Sequence, residues 1–323
     1  LEFECKVRLE RPRLYVRPDE LSTVRARIGS THREAWEGVL RNLDNRNVRE
    51  RMLACAFHYL VTGQQSSART AIAAALELAA TKSGDDWEAT HKVWPEAVVW
   101  DWCHDQFTRA EHDSLLAGIR RQLALAGGGD LETQPPHAGH LVNHMADAHI
   151  PAGLAFYDED PSIFERAVRV AKTQLAAKSV YYRYGLSSQG TSYGVTHYQA
   201  DMRILAELYK STDTDLFPRM PFMAEAGRYW VYARRPDGQF LRNGDDWLDH
   251  RPQNSRRVTE RRPEGAYPYF DTSGTWTSPA LSEMLLYAAV RYDDPILFNE
   301  YLLVRDLDRA WTAITDILWH DPE

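Results

Sequence analysis

The feature that most limits what this chain can fold into is the near-continuous helical spacing of its apolar residues. In "PDELSTVRARI", Pro18 and Asp19 stand at a helix start, and Leu21, Val24 and Ile28 follow at steps of three and four. "RERMLACAFHYLVTG" repeats the spacing and stops at Gly63, the usual residue after a helix end. "SSARTAIAAALELAATKSG" predicts a helix capped by serine. "EATHKVWPEAVVWDWCHDQF", "TRAEHDSLLAGIRRQLALAGGG", "GHLVNHMADAHIP" and "DPSIFERAVRVAKTQLAAKS" continue the series. "HYQADMRILAELYKS", "FMAEAGRYWVYARRPDG", "SPALSEMLLYAAVRY" and "LVRDLDRAWTAITDILW" complete it. These are roughly ten or more helices on short loops, with no alternation long enough for a sheet. Short extended pieces are expected only around "QFLRNGDD" and "GAYPYFDTSG". The predicted fold class is all-α, with helical hairpins arranged as an α/α toroid or solenoid in one domain over residues 1–323. No fixed-period motif recurs, so the repeat is structural.

Composition narrows the partners. A net charge of −8 over 323 residues argues against general nucleic-acid binding. No apolar run approaches the roughly 20 residues that span a bilayer, so no membrane partner is expected. The opening "LEFECKVRLERPRLYVRP" lacks the apolar core of a signal peptide. Cys5, Cys55 and Cys103 are widely spaced and odd in number, which reads as free thiols.

Three constellations carry chemistry-bearing residues. In "GHLVNHMADAHIP", His140 and His144 are one turn apart, as are Asn143 and Asp147, while Leu141, Val142, Met145 and Ala148 can face a core. The polar set is then free to project together; the alternative is a helix end whose histidines satisfy buried carbonyls. A metal pair at His140 and His144 lacks the glutamate of a zinc-protease helix and a further ligand, so no metal is expected there. In "YYRYGLSSQGTSYGVTHYQADMR", Tyr193 sits between Gly190 and Gly194 in a stretch read as irregular, whereas Tyr198 begins a helix and has a strong reading as core. In "RRPDGQFLRNGDDW", Asp245, Asp246 and Trp247 follow a turn, a set that suits a sugar and equally a plain loop. The next loop carries Arg256 and Arg257 among five arginines, whose guanidinium forks match carboxylate or sulfate; a solvated loop is the alternative. Trp94 and Trp100 are core by spacing, with a sugar groove as the other reading.

Together, "RPRLYVRPDELSTVRARI", "AVVWDWCHDQFTRAEHDSL", "VNHMADAH", "SSQGTSYGVTHYQADMRILAELY" and "RRPDGQFLRNGDD" resemble the heparinase II/III-like polysaccharide lyases over nearly the whole chain. The resemblance implies an incomplete α/α toroid, followed in the family by a β-sandwich domain that this sequence does not include. It implies β-elimination on a uronic-acid polysaccharide, heparin- or heparan-sulfate-like first and alginate-like next, giving a 4,5-unsaturated uronide. By that resemblance Asn143 and His144 match the family's Asn-His pair, Tyr193 matches its acid or base tyrosine, and Asp147 falls where some relatives have glutamate. His140, Asp147, Tyr198, Asp245, Asp246, Trp247, Arg256 and Arg257 are the expected substrate contacts. No cofactor is expected in this chain; a structural zinc belongs to the family's C-terminal domain, which is the expected protein partner. A periplasmic or secreted bacterial location is likewise implied.

The chemistry explains the residue types. Elimination removes the C5 proton beside a charged carboxylate and expels the oxygen at C4. A donor must neutralise the carboxylate, a base must reach C5, and an acid must protonate the leaving oxygen. Two rival readings use the same fold. An α/α-toroid glycoside hydrolase would need two separated carboxylates, from Asp86 or Asp147 with Asp245 or Asp246. A non-catalytic glycan-binding domain would need none.

Overall fold

The computed structural model describes residues 2–127, 131–135, 139–184, 190–232 and 277–320, with backbone alone at 139–140, 190–193 and 277–280. Helices α1 (Leu21–Gly29), α2 (Arg33–Arg41), α3 (Val48–Thr62), α4 (Gln65–Ala80), α5 (Asp86–Cys103) and α6 (Arg109–Leu125) lead the chain. Then α7 (Gly139–His144) runs through a π-helical turn, Met145–His149, into α8 (Ile150–Ala155). The series continues with α9 (Pro161–Tyr182), α10 (Gly190–Ser211), α11 (Phe222–Tyr232), α12 (Thr277–Tyr292), α13 (Pro295–Val304) and α14 (Ala310–Trp319). The fold is all-α among the described residues, where the one β-type pairing is an isolated bridge between Val7 and Thr212. No helix searched is long and apolar enough to cross a membrane. Cys5, Cys55 and Cys103 are free thiols.

Local signals set many boundaries. Asn47 caps α3 by accepting from the amides of Arg49 and Glu50, and Gly63 ends it at φ 74°, a left-handed conformation that favours glycine. Thr108 and Glu111 form a capping box on α6. Asp85 caps α5 through Glu88 N–H. Three expectations are corrected. Helix α4 starts after Gln64, with no side-chain cap, so the serines lie inside its first turn. Helix α10 begins at Gly190, which puts Tyr193 on a helix and not in an irregular stretch. The single helix expected from Leu303 is two, because α13 ends at Val304 and α14 starts at Ala310. There Gly38 explains the close approach: a Cβ on it would stand 2.1 Å from the Leu307 carbonyl oxygen.

Neighbouring helices pack as hairpins, α3 on α4, α5 on α6, α8 on α9 and α12 on α13. Helix α14 returns to pack on α2 and α3, so the last helix meets the first ones. The extended stretch before α1 threads inward: Arg13, Leu14 and Tyr15 are buried, and the Arg13 and Leu14 amides each donate to Asp101 Oδ2 at 2.8 Å. That anchoring brings the Tyr15 hydroxyl to the centre of the helical array, where it meets Trp94 and Glu207.

Candidate functional site

Helix α7 and its π turn pass between α5 and α10, and this placement gathers the polar residues. Pro151 supplies the reason for the π turn. It has no N–H for the Asp147 carbonyl and its ring crowds that oxygen, so the helix widens by one residue. Helix α5 carries the matching feature: Pro95 cannot donate to the His91 carbonyl. The two interrupted levels face each other, with His91 Nδ1 3.5 Å from Asp147 Oδ2.

His144 is held by Thr90 of α5. Thr90 Oγ1 lies 2.6 Å from His144 Nδ1 and donates its one proton to the Asp86 carbonyl at 2.8 Å. It must therefore accept from His144, which fixes the neutral ring with its proton on Nδ1 and a lone pair on Nε2. Nε2 looks toward the partly exposed Asp86 carboxylate, 3.5 Å away, which would stabilise an imidazolium. The Trp87 ring stands edge-on to both neighbours, with centroids 6.5 Å from His144 and 4.4 Å from His91.

Behind this pair lies a buried charge network. Arg203 of α10 donates from Nη1 to Asp147, and from Nε and Nη2 to Glu283 of α12 at 3.0 and 2.5 Å. Glu283 also accepts from Gln199, Tyr287 and Trp311. Burial opposes the Arg203 charge, but Glu283 and Asp147 more than offset it and hold its pKa well up. Burial likewise opposes the Glu283 charge, and Arg203 outweighs it, so that carboxyl is held down. The result is an Arg203–Glu283 pair in which each partner holds the other's charge. Beside it Glu207, which accepts from Tyr15, has its carboxyl held well above the usual range by burial. Burial pushes His91 down to about 4 despite Asp147, so it is neutral near pH 7.

A cavity of about 390 Å3 opens beside the site, lined by Arg49, Trp87, Glu88, His91, Lys92 and others. Arg49 and Arg203 flank the Trp94 ring, with guanidinium carbons 4.7 and 4.9 Å from the ring centroid. The cavity thus offers a cation, an indole and an imidazole together, a set suited to an acidic sugar.

Asn143, His144 and Asp147, singled out from the sequence, are all three buried. They are covered because α5 and α10 pack on both flanks of this segment. His149 of the same segment is a core group: its Nε2 lies 3.1 Å from the Ala126 carbonyl oxygen, and burial pushes it down to about 4. Tyr198, an expected sugar contact, is instead core; it is 1% exposed and its hydroxyl donates to the Met223 carbonyl. Trp94 and Trp100 are likewise buried and belong to the core. The side chains of Tyr193 and His140 lie outside the described residues, although α10 packs on α7. Asp245, Asp246, Trp247, Arg256 and Arg257 lie wholly outside them.

Sequence reasoning missed Arg49, Trp87, Thr90, His91, Arg203 and Glu283. The spacing of Trp87, Thr90 and His91 on one helix was a usable signal; nothing in the sequence points to Arg49 or Glu283. No protein-family model matches the chain, and no curated protein matches it.

Proposed function

We propose that this chain is the helical domain of a polysaccharide lyase that cleaves an acidic, uronate-containing chain by β-elimination, in a toroidal arrangement of its helical hairpins. The reading rests on the resemblance of its motifs to the heparinase II/III-like lyases. The observation that carries it is the His144 ring, held by Thr90 at Nδ1 and standing edge-on to Trp87, which lines a cavity together with Arg49 and His91.

In this mechanism His144 Nε2 takes the C5 proton, and Asp86 stabilises the imidazolium that forms. Asn143 donates to the uronate carboxylate as enolate-like charge develops. Tyr193 protonates the departing C4 oxygen, and replaces His144 as the base for the opposite C5 epimer. Arg49 attracts the carboxylate or sulfate groups of the incoming chain. Arg203, itself held by Glu283, donates to Asp147 and fixes the level of the π turn.

The test is incubation with heparan sulfate, chondroitin sulfate, hyaluronan and alginate, followed by ultraviolet absorbance of the C4–C5 double bond. The chain is assayed alone and joined to a family-type β domain. Lyase action gives the absorbance with each new reducing end. New reducing ends without it would mean hydrolysis, and saturable binding with neither would mean a glycan-binding domain.

A further inference from the structure

Away from the cavity, three ligand-type side chains meet where the beginning of the described chain packs against its end. His32 stands between α1 and α2. Asp316 lies on α14, and His320 follows one turn later, just past the end of that helix. One ligand atom from each lies within 4.8 Å of the others. The His32 side chain is 1% exposed. Its Nε2 and Nδ1 of His320 are buried and have no hydrogen-bond partner, yet they sit 3.9 and 3.4 Å from the Asp316 carboxylate. Two imidazole nitrogens turned to one carboxylate, neither bonded to it, call for an explanation. A cation held between the three groups would supply it.

We propose that His32, Asp316 and His320 form a structural site for a divalent transition metal of the zinc type, stapling the α1–α2 turn to α14. The surrounding contacts suit that role. His32 Nδ1 lies 2.9 Å from Thr31 Oγ1, which can accept the Nδ1 proton and leave the Nε2 lone pair for a metal. Tyr301 donates to Asp316 Oδ1, and Arg305 Nη1 approaches the same oxygen at 2.9 Å. Oδ2 is the oxygen nearest His32. Supporting bonds of this kind orient a ligating carboxylate. The donor set of two imidazoles and one carboxylate selects zinc, cobalt or nickel over magnesium or calcium, which need more oxygen ligands. Arg305, by neutralising part of the carboxylate, disfavours the hard cations further.

The test uses tag-free, chelator-treated protein titrated with zinc chloride by calorimetry, with thermal melts in parallel. Cobalt chloride serves as a second probe, its visible absorption reporting the ligand set. The expected result is one equivalent of zinc bound, a higher Tm with zinc and no rise with magnesium. His32→Gln and His320→Gln should each weaken binding by at least about tenfold and cancel the Tm rise. His320 is only partly buried and its Nδ1 makes no hydrogen bond, so His320→Gln keeps the test alive should His32→Gln fail to fold. Absence of saturable zinc binding, or binding that survives His320→Gln unchanged, would overturn the proposal.

Discussion

Helix α10 carries two buried charges two residues apart, and they belong to different worlds. Asp201 is fully buried and accepts from Gln174, Lys178 and Tyr182, all on α9. Its partners come from one neighbouring helix and no cavity described above is lined by it. Arg203 points to the other side, where Asp147 and Glu283 share it and where His91, Asp147's second neighbour, borders the cavity. Burial and charge are common to both. What separates them is residual capacity: Asp201 is saturated by amide, ammonium and phenol, whereas Asp147 holds His91 only at 3.5 Å. A buried charge marks a site when its network reaches a cavity with capacity to spare.

Breaking the saturated cluster should have the largest effect. Asp201→Ala strands the Lys178 ammonium in the core and should cost about 3–5 kcal/mol, read as a lower urea midpoint. A loss below about 1 kcal/mol would mean that water reaches Lys178. At the cavity the cost should fall on chemistry instead. His144→Gln and Tyr193→Phe should each reduce turnover by roughly a hundredfold with the urea midpoint nearly unmoved. If His144→Gln instead destabilises the fold and leaves turnover per folded molecule intact, His144 belongs with Asp201. Arg49→Gln should raise KM about tenfold, the scale of one lost charged contact, and flatten its dependence on salt. An unchanged salt profile would remove Arg49 from the substrate path.

The smallest effect is in pH. His149, lowered from 6.5 to about 4, binds protons more readily in the unfolded chain. Its contribution is therefore present above 6.5 and lost as pH falls toward 4. Glu96 is raised from 4.5 to about 8 by burial, only partly opposed by Gln122, so the stability it contributes is present below 4.5 and lost as pH rises toward 8. Between pH 4.5 and 6.5 the two slopes oppose each other. Glu96→Gln should uncover a steeper acid loss in urea midpoints measured across that window. A variant with the parent's flat profile would show that His149 does not carry the acid limb.

How much of this was legible follows the distance over which the information acts. Gly63 ends its helix as the sequence suggests; the Asn47 cap and the Thr108–Glu111 box act over equally short spans but were not singled out. That Asn143, His144 and Asp147 share one helical segment follows from local spacing. Their burial does not, because it comes from α5 and α10. The salt bridges of Arg203 span 56 residues to Asp147 and 80 to Glu283, separations at which a pattern carries no signal. Tyr198 shows the converse: a tyrosine beside a functional-looking motif is fixed as core by the Met223 carbonyl, 25 residues on. The break between α13 and α14 was hidden because Leu303, Leu307 and Trp311 keep helical spacing across it.

Pro95 and Pro151 give the site a mechanical property as well as a shape. Each removes one rung from its helix, and the missing rungs lie at His91 and Asp147, the residues that face each other across the gap. A helix bends most easily where a rung is missing. Two such joints at one height work like the leaves of a single hinge. A bend at either joint would change how α5 and the α7–α8 segment sit against each other, with the Arg203–Glu283 pair one layer behind them.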